Sequence, residues 1–167
     1  MSNAYLLATQ CTSFVSSGSL SPVTDKGSGA DHNVMFWLPD GLSSQQYYLG
    51  MIARSVPNYN STTPPVGTST YIFSLQNDDP TNSLLARPTG FTPLWTCVHN
   101  HQPSNLGIYS IDGPPGYFGV GCIAVADFNS PPQVSDYPQL MCVLGDHVNF
   151  NYTVSNAIWT DQGSGAP

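Results

Sequence analysis

Asp25-Lys26-Gly27-Ser28-Gly29 and Asp161-Gln162-Gly163-Ser164-Gly165 each set a carboxylate two residues ahead of a backbone lacking Cβ atoms at alternate positions. Glycine tolerates positive φ and lets another group approach the main chain, so each segment can fold into a small concavity. A carboxylate acceptor beside exposed peptide N–H donors matches the vicinal diol of a sugar. The same oxygens suit a calcium ion, with Asp25 and Asp31 as ligands. A third reading needs no ligand: the glycines build a turn and the aspartate caps its amides. The binding reading assigns Asp25, Gly27, Ser28, Gly29 and Asp31 to one site and Asp161, Gly163, Ser164 and Gly165 to a second.

Other residue types offer less chemistry. His99 and His101 alternate along a strand-like run and, with His32 or His147, would present imidazoles to a metal. Without a defined third ligand, such histidines are by default solvated or hydrogen-bonded. Cys11, Cys97, Cys122 and Cys142 show no Cys-x-x-Cys spacing, which argues against zinc. Cys122 and Cys142 lie in apolar runs and read as buried thiols, while Cys11 and Cys97 remain a pair that spacing neither joins nor separates. Asp25, Ser28 and His32 are close in sequence, but no nucleophile-elbow motif surrounds Ser28. The expectation is no enzyme, no resident metal and no cofactor. The acceptor patterns at Asn60 and Asn151 carry sugar only in a chain that enters the secretory pathway.

Composition excludes several partners. Charged residues make up 8% of the 167, with no glutamate at all, so the surface is built from Ser, Thr, Asn, Gln and backbone. Net charge is −7 and the strong cations are Lys26, Arg54 and Arg87, too few to neutralise a phosphate backbone or an anionic membrane. Neutral glycans and lipid head groups stay open, as does self-association into a homo-oligomer. No apolar run approaches the roughly 20 residues of a spanning helix, so no transmembrane segment is expected. The start of the chain shows no basic, apolar signal pattern, which points to a cytoplasmic or unconventionally released protein.

The two Gly-Ser-Gly segments belong to a longer repeat. A constant shift lays Val23-Thr24 on Trp95-Thr96, Asn33 on Asn105, Phe36-Trp37 on Ile108-Tyr109 and Asp40-Gly41 on Asp112-Gly113. One deleted residue later, Leu49-Gly50-Met51-Ile52-Ala53 falls on Val120-Gly121-Cys122-Ile123-Ala124. The third copy is truncated to Trp159-Thr160-Asp161 and its turn, and the middle copy reads Cys97-Val98-His99-Asn100-His101 in place of the box. The chain thus divides into repeats over about 6–83, 84–139 and 140–167 within one domain.

Apolar runs are short and rich in aromatic and β-branched residues, at 34–38, 47–53, 70–75, 94–98, 107–111, 117–126, 139–144, 148–154 and 156–159. Separated by Gly, Pro, Asn and Asp, they predict an all-β domain. With the repeat, they predict a pseudo-threefold β-prism-like arrangement, the alternative being a β-sandwich. Aromatics recurring at equivalent places read as shared core. Segments 55–69 and 129–138, rich in Pro and polar residues, read as exposed loops. Asn3-Ala4-Tyr5-Leu6-Leu7 is expected to supply the strand that the truncated copy lacks.

The box Trp159-Thr160-Asp161-Gln162-Gly163-Ser164-Gly165-Ala166, with Gly116-Tyr117-Phe118-Gly119-Val120-Gly121, resembles the vacuolar protein sorting-associated protein 62 family of β-rich domains. The resemblance covers about 23–53, 95–126 and 159–166, and this chain departs from it in length and in its middle unit. The family's layout is similar to three-sheet prism lectins and to the receptor-binding ends of some pore-forming proteins. The resemblance implies a lectin-like recognition module for carbohydrate or lipid head groups, with a role in defence or as part of a toxin. A self-assembling structural protein is the alternative.

Overall fold

A computed structural model describes residues 4–16, 22–59, 71–76, 83–97, 104–151 and 157–163. Its strands are β1 (Tyr5–Gln10), β2 (Val23–Thr24), β3 (Asn33–Trp37), β4 (Gln46–Tyr47), β5 (Ile52–Val56) and β6 (Tyr71–Gln76). They continue with β7 (Leu85–Ala86), β8 (Gly90–Thr96), β9 (Gly107–Asp112), β10 (Tyr117–Phe118), β11 (Cys122–Val125) and β12 (Cys142–Leu144). The described residues contain no α-helix, only the 3-10 turns Val134–Asp136 and Gly145–His147, so the fold is all-β as expected.

Four three-stranded antiparallel sheets form, in the orders β2-β3-β5, β8-β9-β11, β1-β6-β4 and β10-β12-β7. The first two carry the sequence repeat. In one, Val23 pairs with Phe36, Phe36 with Ala53 and Trp37 with Ile52. In the other, Trp95 pairs with Ile108, Ile108 with Ala124 and Tyr109 with Ile123. These are the residues that the sequence shift equates, now in identical register.

Two apolar runs that read as single strands are each broken at the same repeat position. Run 47–53 divides into β4 and β5, and run 117–126 into β10 and β11. The cause is a backbone crossing between repeats. A Cβ on Gly50 would lie 2.9 Å from Gly121 Cα, and one on Gly121 would lie 2.5 Å from Leu49 O. Met51 N then donates to Cys122 O at 2.9 Å. A ladder cannot run straight through this contact.

Strand β3 is covered on both sides. Val34 and Phe36 join a core with Val23, Cys97 and Leu106, while Met35 and Trp37 join a second with Cys11, Phe14 and Ile72. A third core packs Tyr48, Ile111, Ile123, Tyr137 and Leu140. Runs 148–154 and 156–159 form no strand among their described residues. There Val148 closes the second 3-10 turn, and Trp159 is fixed through its side chain.

The N-terminal expectation is corrected in part. β1 does complete a sheet, but among the described residues its registered partner is β6, from Tyr5↔Gln76 to Gln10↔Tyr71, and not a strand of the last unit. Repeat borders are likewise crossed, because β12 pairs with both β7 and β10.

Candidate functional site

Strand β2 ends at Thr24 and delivers Asp25 into the interior. The Ser28 N–H donates to Asp25 O at 2.8 Å, and Gly27 and Gly29 take φ of 86° and 80°, closing the turn. The carboxylate faces inward and is fully buried, 0% exposed. Its Oδ1 accepts from Val34 N and from the Tyr59 hydroxyl, both at 2.8 Å. Its Oδ2 accepts from Trp159 Nε1 at 3.1 Å and Ser28 Oγ at 3.3 Å. Four donors around one buried carboxylate offset the desolvation that would otherwise expel it. Burial, then the hydrogen bond and charge of Asp25, push the Tyr59 phenol well above its ordinary range.

Asp25 and Ser28, expected to contact a ligand, both face the interior. Ser28 is 1% exposed; its Oγ donates to Asp25 and accepts from Ala30 N at 3.1 Å. A ligand hydroxyl reaches neither residue. Calcium ligation by Asp25 fails for the same reason, since its oxygens already face N–H and O–H groups. Gly27 is half-buried, while Gly29 and Asp31 are exposed. Asp161 is half-buried and Gly163 exposed; Ser164, Gly165, His99 and His101 lie outside the described residues.

The two boxes do not stand apart as separate concavities. Asp31 N donates to Gln162 O at 2.8 Å, and a Cβ on Gly163 would collide with Asp31 Oδ1. Gly163, with φ of 86°, is needed there for its missing side chain as well as its backbone angle.

A relay of tryptophan N–H groups ties the repeats together. Trp159, of the third unit, donates from Nε1 to Asp25 and also to His32 O at 2.7 Å. Trp95, of the second unit, donates from Nε1 to Asp161 of the third at 3.0 Å. The two indoles meet edge to face with centroids 5.5 Å apart. Extending the same relation, Val23 of the first unit should face Cys97 of the second, and both belong to one buried cluster. An apolar pair therefore stands where the repeat would have placed a third indole and carboxylate. Burial pushes the Cys97 thiol up, with the Asp25 charge adding to a rise that Ser104 partly opposes. Reading Trp95 and Trp159 as core aromatics missed the role of Nε1. The aligned triplets Val23-Thr24-Asp25, Trp95-Thr96-Cys97 and Trp159-Thr160-Asp161, with Trp or Asp each kept in two copies of three, were the available signal.

A groove of about 540 Å³ lies elsewhere, between residues 124–127 at the end of β11 and residues 130–133, with Asp136 and Tyr137 completing it. Segment 129–138, expected as an exposed loop, is its outer wall. Asp127 Oδ1 accepts from Asn129 N at 3.0 Å and Nδ2 at 2.9 Å, and Asp136 Oδ2 accepts from Gln133 N at 3.2 Å. Arg87 pins the wall from behind. Its Nη1 donates to Tyr137 O at 2.6 Å and Leu140 O at 2.8 Å, and its Nη2 to Val134 O at 2.8 Å. Gln139 Nε2 adds bonds to Ser43 O at 2.6 Å and Gln46 O at 3.0 Å. Among the described residues, no Lys, Arg or His lines the groove.

This is an all-β domain of repeated three-stranded sheets locked through buried side-chain hydrogen bonds. No family model and no curated protein matches the chain. Among solved structures it is similar to GNIP1Aa from Chromobacterium piscinae, with a TM-score of 0.75 and 22% identity over 96% of this chain. The chain spans 28% of the GNIP1Aa chain, and at that identity the likeness establishes the fold alone.

Proposed function

We propose that this chain is a non-enzymatic recognition module for carbohydrate or lipid head groups, of the kind used in defence or as part of a toxin. The observation that carries the reading is the groove beside β11: its wall is fixed by Arg87 and Gln139, its rim is acidic and no cation lines it among the described residues. A rigid, weakly charged concavity on a closed framework suits a binding domain, where preorganisation rather than chemistry sets the outcome. The fold likeness to 28% of a longer chain supports a modular role. The Trp-to-Asp relay supports a pseudo-threefold, prism-like frame, and the box kinship with the vacuolar protein sorting-associated protein 62 family belongs to the same proposal.

The test is a glycan array together with vesicles of phosphatidylcholine, alone and with phosphatidylserine, probed with the whole chain. Saturable binding to a neutral glycan or to phosphatidylcholine is expected. Failure on every surface would overturn recognition. A second reading, self-assembly, has its own observation: β1 exposes Tyr5 and Leu7, and its second edge has no registered partner among the described residues. Concentration-dependent oligomers in sedimentation, without ligand binding, would favour it.

A further inference from the structure

We infer that the groove between residues 124–127 and 130–137 is a saccharide site in which Asp127 and Asp136 accept hydrogen bonds from the hydroxyls of a neutral sugar. The inference rests on the recognition reading and gives it a place and a ligand class. Its volume, about 540 Å³, falls within the range of small-ligand sites, roughly 300–1,000 Å³.

The carboxylates are held in advance. In each, one oxygen is engaged by the loop itself: Asp127 Oδ1 by Asn129, Asp136 Oδ2 by Gln133. The other oxygen, Asp127 Oδ2 or Asp136 Oδ1, meets no donor among the described residues. Such an oxygen is an oriented acceptor that need not be ordered on binding. Tyr137 backs the groove with a ring that is 2% exposed and packs edge to face on Phe91 in the third core.

The rest of the lining chooses between ligand classes. Ala124, Val125, Pro131 and Pro132 supply an apolar wall for the C–H face of a sugar ring, while Ser130 and the Gln133 amide add neutral polar groups. Among the described residues the lining has no cationic side chain, which disfavours phosphate, sulfate and carboxylate ligands. A quaternary ammonium head group would call for an aromatic cage, and Tyr137 is the one aromatic lining residue among the described residues. A neutral polyol is the class left.

The experiment uses the whole chain on an array of neutral glycans, with calorimetric titration of whichever sugar binds. Asp127→Asn and Asp136→Asn keep the oxygen that closes each local turn and turn the free acceptor into a donor. The double variant should retain the melting temperature and lose about tenfold or more in affinity. Ala126→Trp, at an exposed lining position, should abolish binding by filling the groove without touching either carboxylate. If the sugar binds the double variant and Ala126→Trp as well as the parent, the groove assignment is overturned while recognition stands. If the parent binds phosphatidylcholine vesicles and no sugar, the ligand class is overturned and recognition again stands. Binding to neither overturns both.

Discussion

Asp25 shows how a residue that invites a binding role serves the architecture instead. Its two oxygens take four donors from four different segments, and Trp159 lies 134 positions away in sequence. Asp161 occupies the equivalent place in its box but has one side-chain donor among the described residues, the partly exposed Trp95. The two substitutions should therefore differ. Asp25→Ala would strand several buried donors and cost about 3–5 kcal/mol, whereas Asp161→Ala should cost about 1–2 kcal/mol. Urea unfolding midpoints read both. Equal costs would mean that the inward-facing carboxylate is not the structural centre described. The box itself was legible in sequence, as were the glycines that turn it. The direction in which the carboxylate points was not, because its partners, Tyr59 and Trp159, come from distant positions and no local pattern ties them to Asp25.

At the level of elements, strand identity was largely readable and strand length was not. Alternation and β-branching located β3, β6, β9 and β12, since these depend on local sequence. The breaks in 47–53 and 117–126 depend on a crossing between Gly50 and Gly121 that only tertiary structure brings about. Gly121→Ala places a methyl 2.5 Å from Leu49 O and 2.9 Å from Gly50 Cα, both main-chain atoms that have little room to yield. A loss of about 2–4 kcal/mol is expected. Gly41→Ala is the control: φ is +68° but nothing lies within 4 Å, so strain alone should cost about 1 kcal/mol. Thermal melts of the two variants separate steric collision from backbone strain.

The wall of the groove follows the same logic. Its prolines and polar residues marked 129–138 as a surface segment, yet its order comes from Arg87, which lies 47 to 53 positions from the carbonyls it binds. Arg87→Met keeps an aliphatic stem and removes every donor. Amide exchange across 134–140 should then accelerate by about tenfold or more, while β3 and β9 keep their protection. Uniform acceleration through the whole domain would show instead that Arg87 supports global stability rather than this segment.

Over the whole molecule, the repeats make a closed set of cores in which aromatic and thiol groups are buried beside very few charges. This architecture has a consequence at high pH. Burial, then the Asp136 charge, pushes the Tyr137 phenol up to about 12 from an ordinary 10.0. Burial likewise raises Tyr48 and Tyr59 above their usual range and brings the Cys142 thiol to about 11 from 9.0. In each case the folded protein holds its proton more tightly than the unfolded chain. The associated stability is fully present below the unfolded values and declines as pH rises above them, because unfolding then releases protons. The decline should begin near pH 9.0 with Cys142 and steepen from 10.0 to about 12 as the phenols join it. Each group contributes at most about 1.4 kcal/mol per pH unit. Urea midpoints measured against pH, with phenolate absorbance followed in parallel, should show phenolate appearing together with unfolding and not before it. Substituting Phe for Tyr137 should shallow the slope above 10.0. Phenolate forming at its ordinary value in a still-folded protein would show that these hydroxyls reach solvent, and the closed packing of the third core would have to be revised.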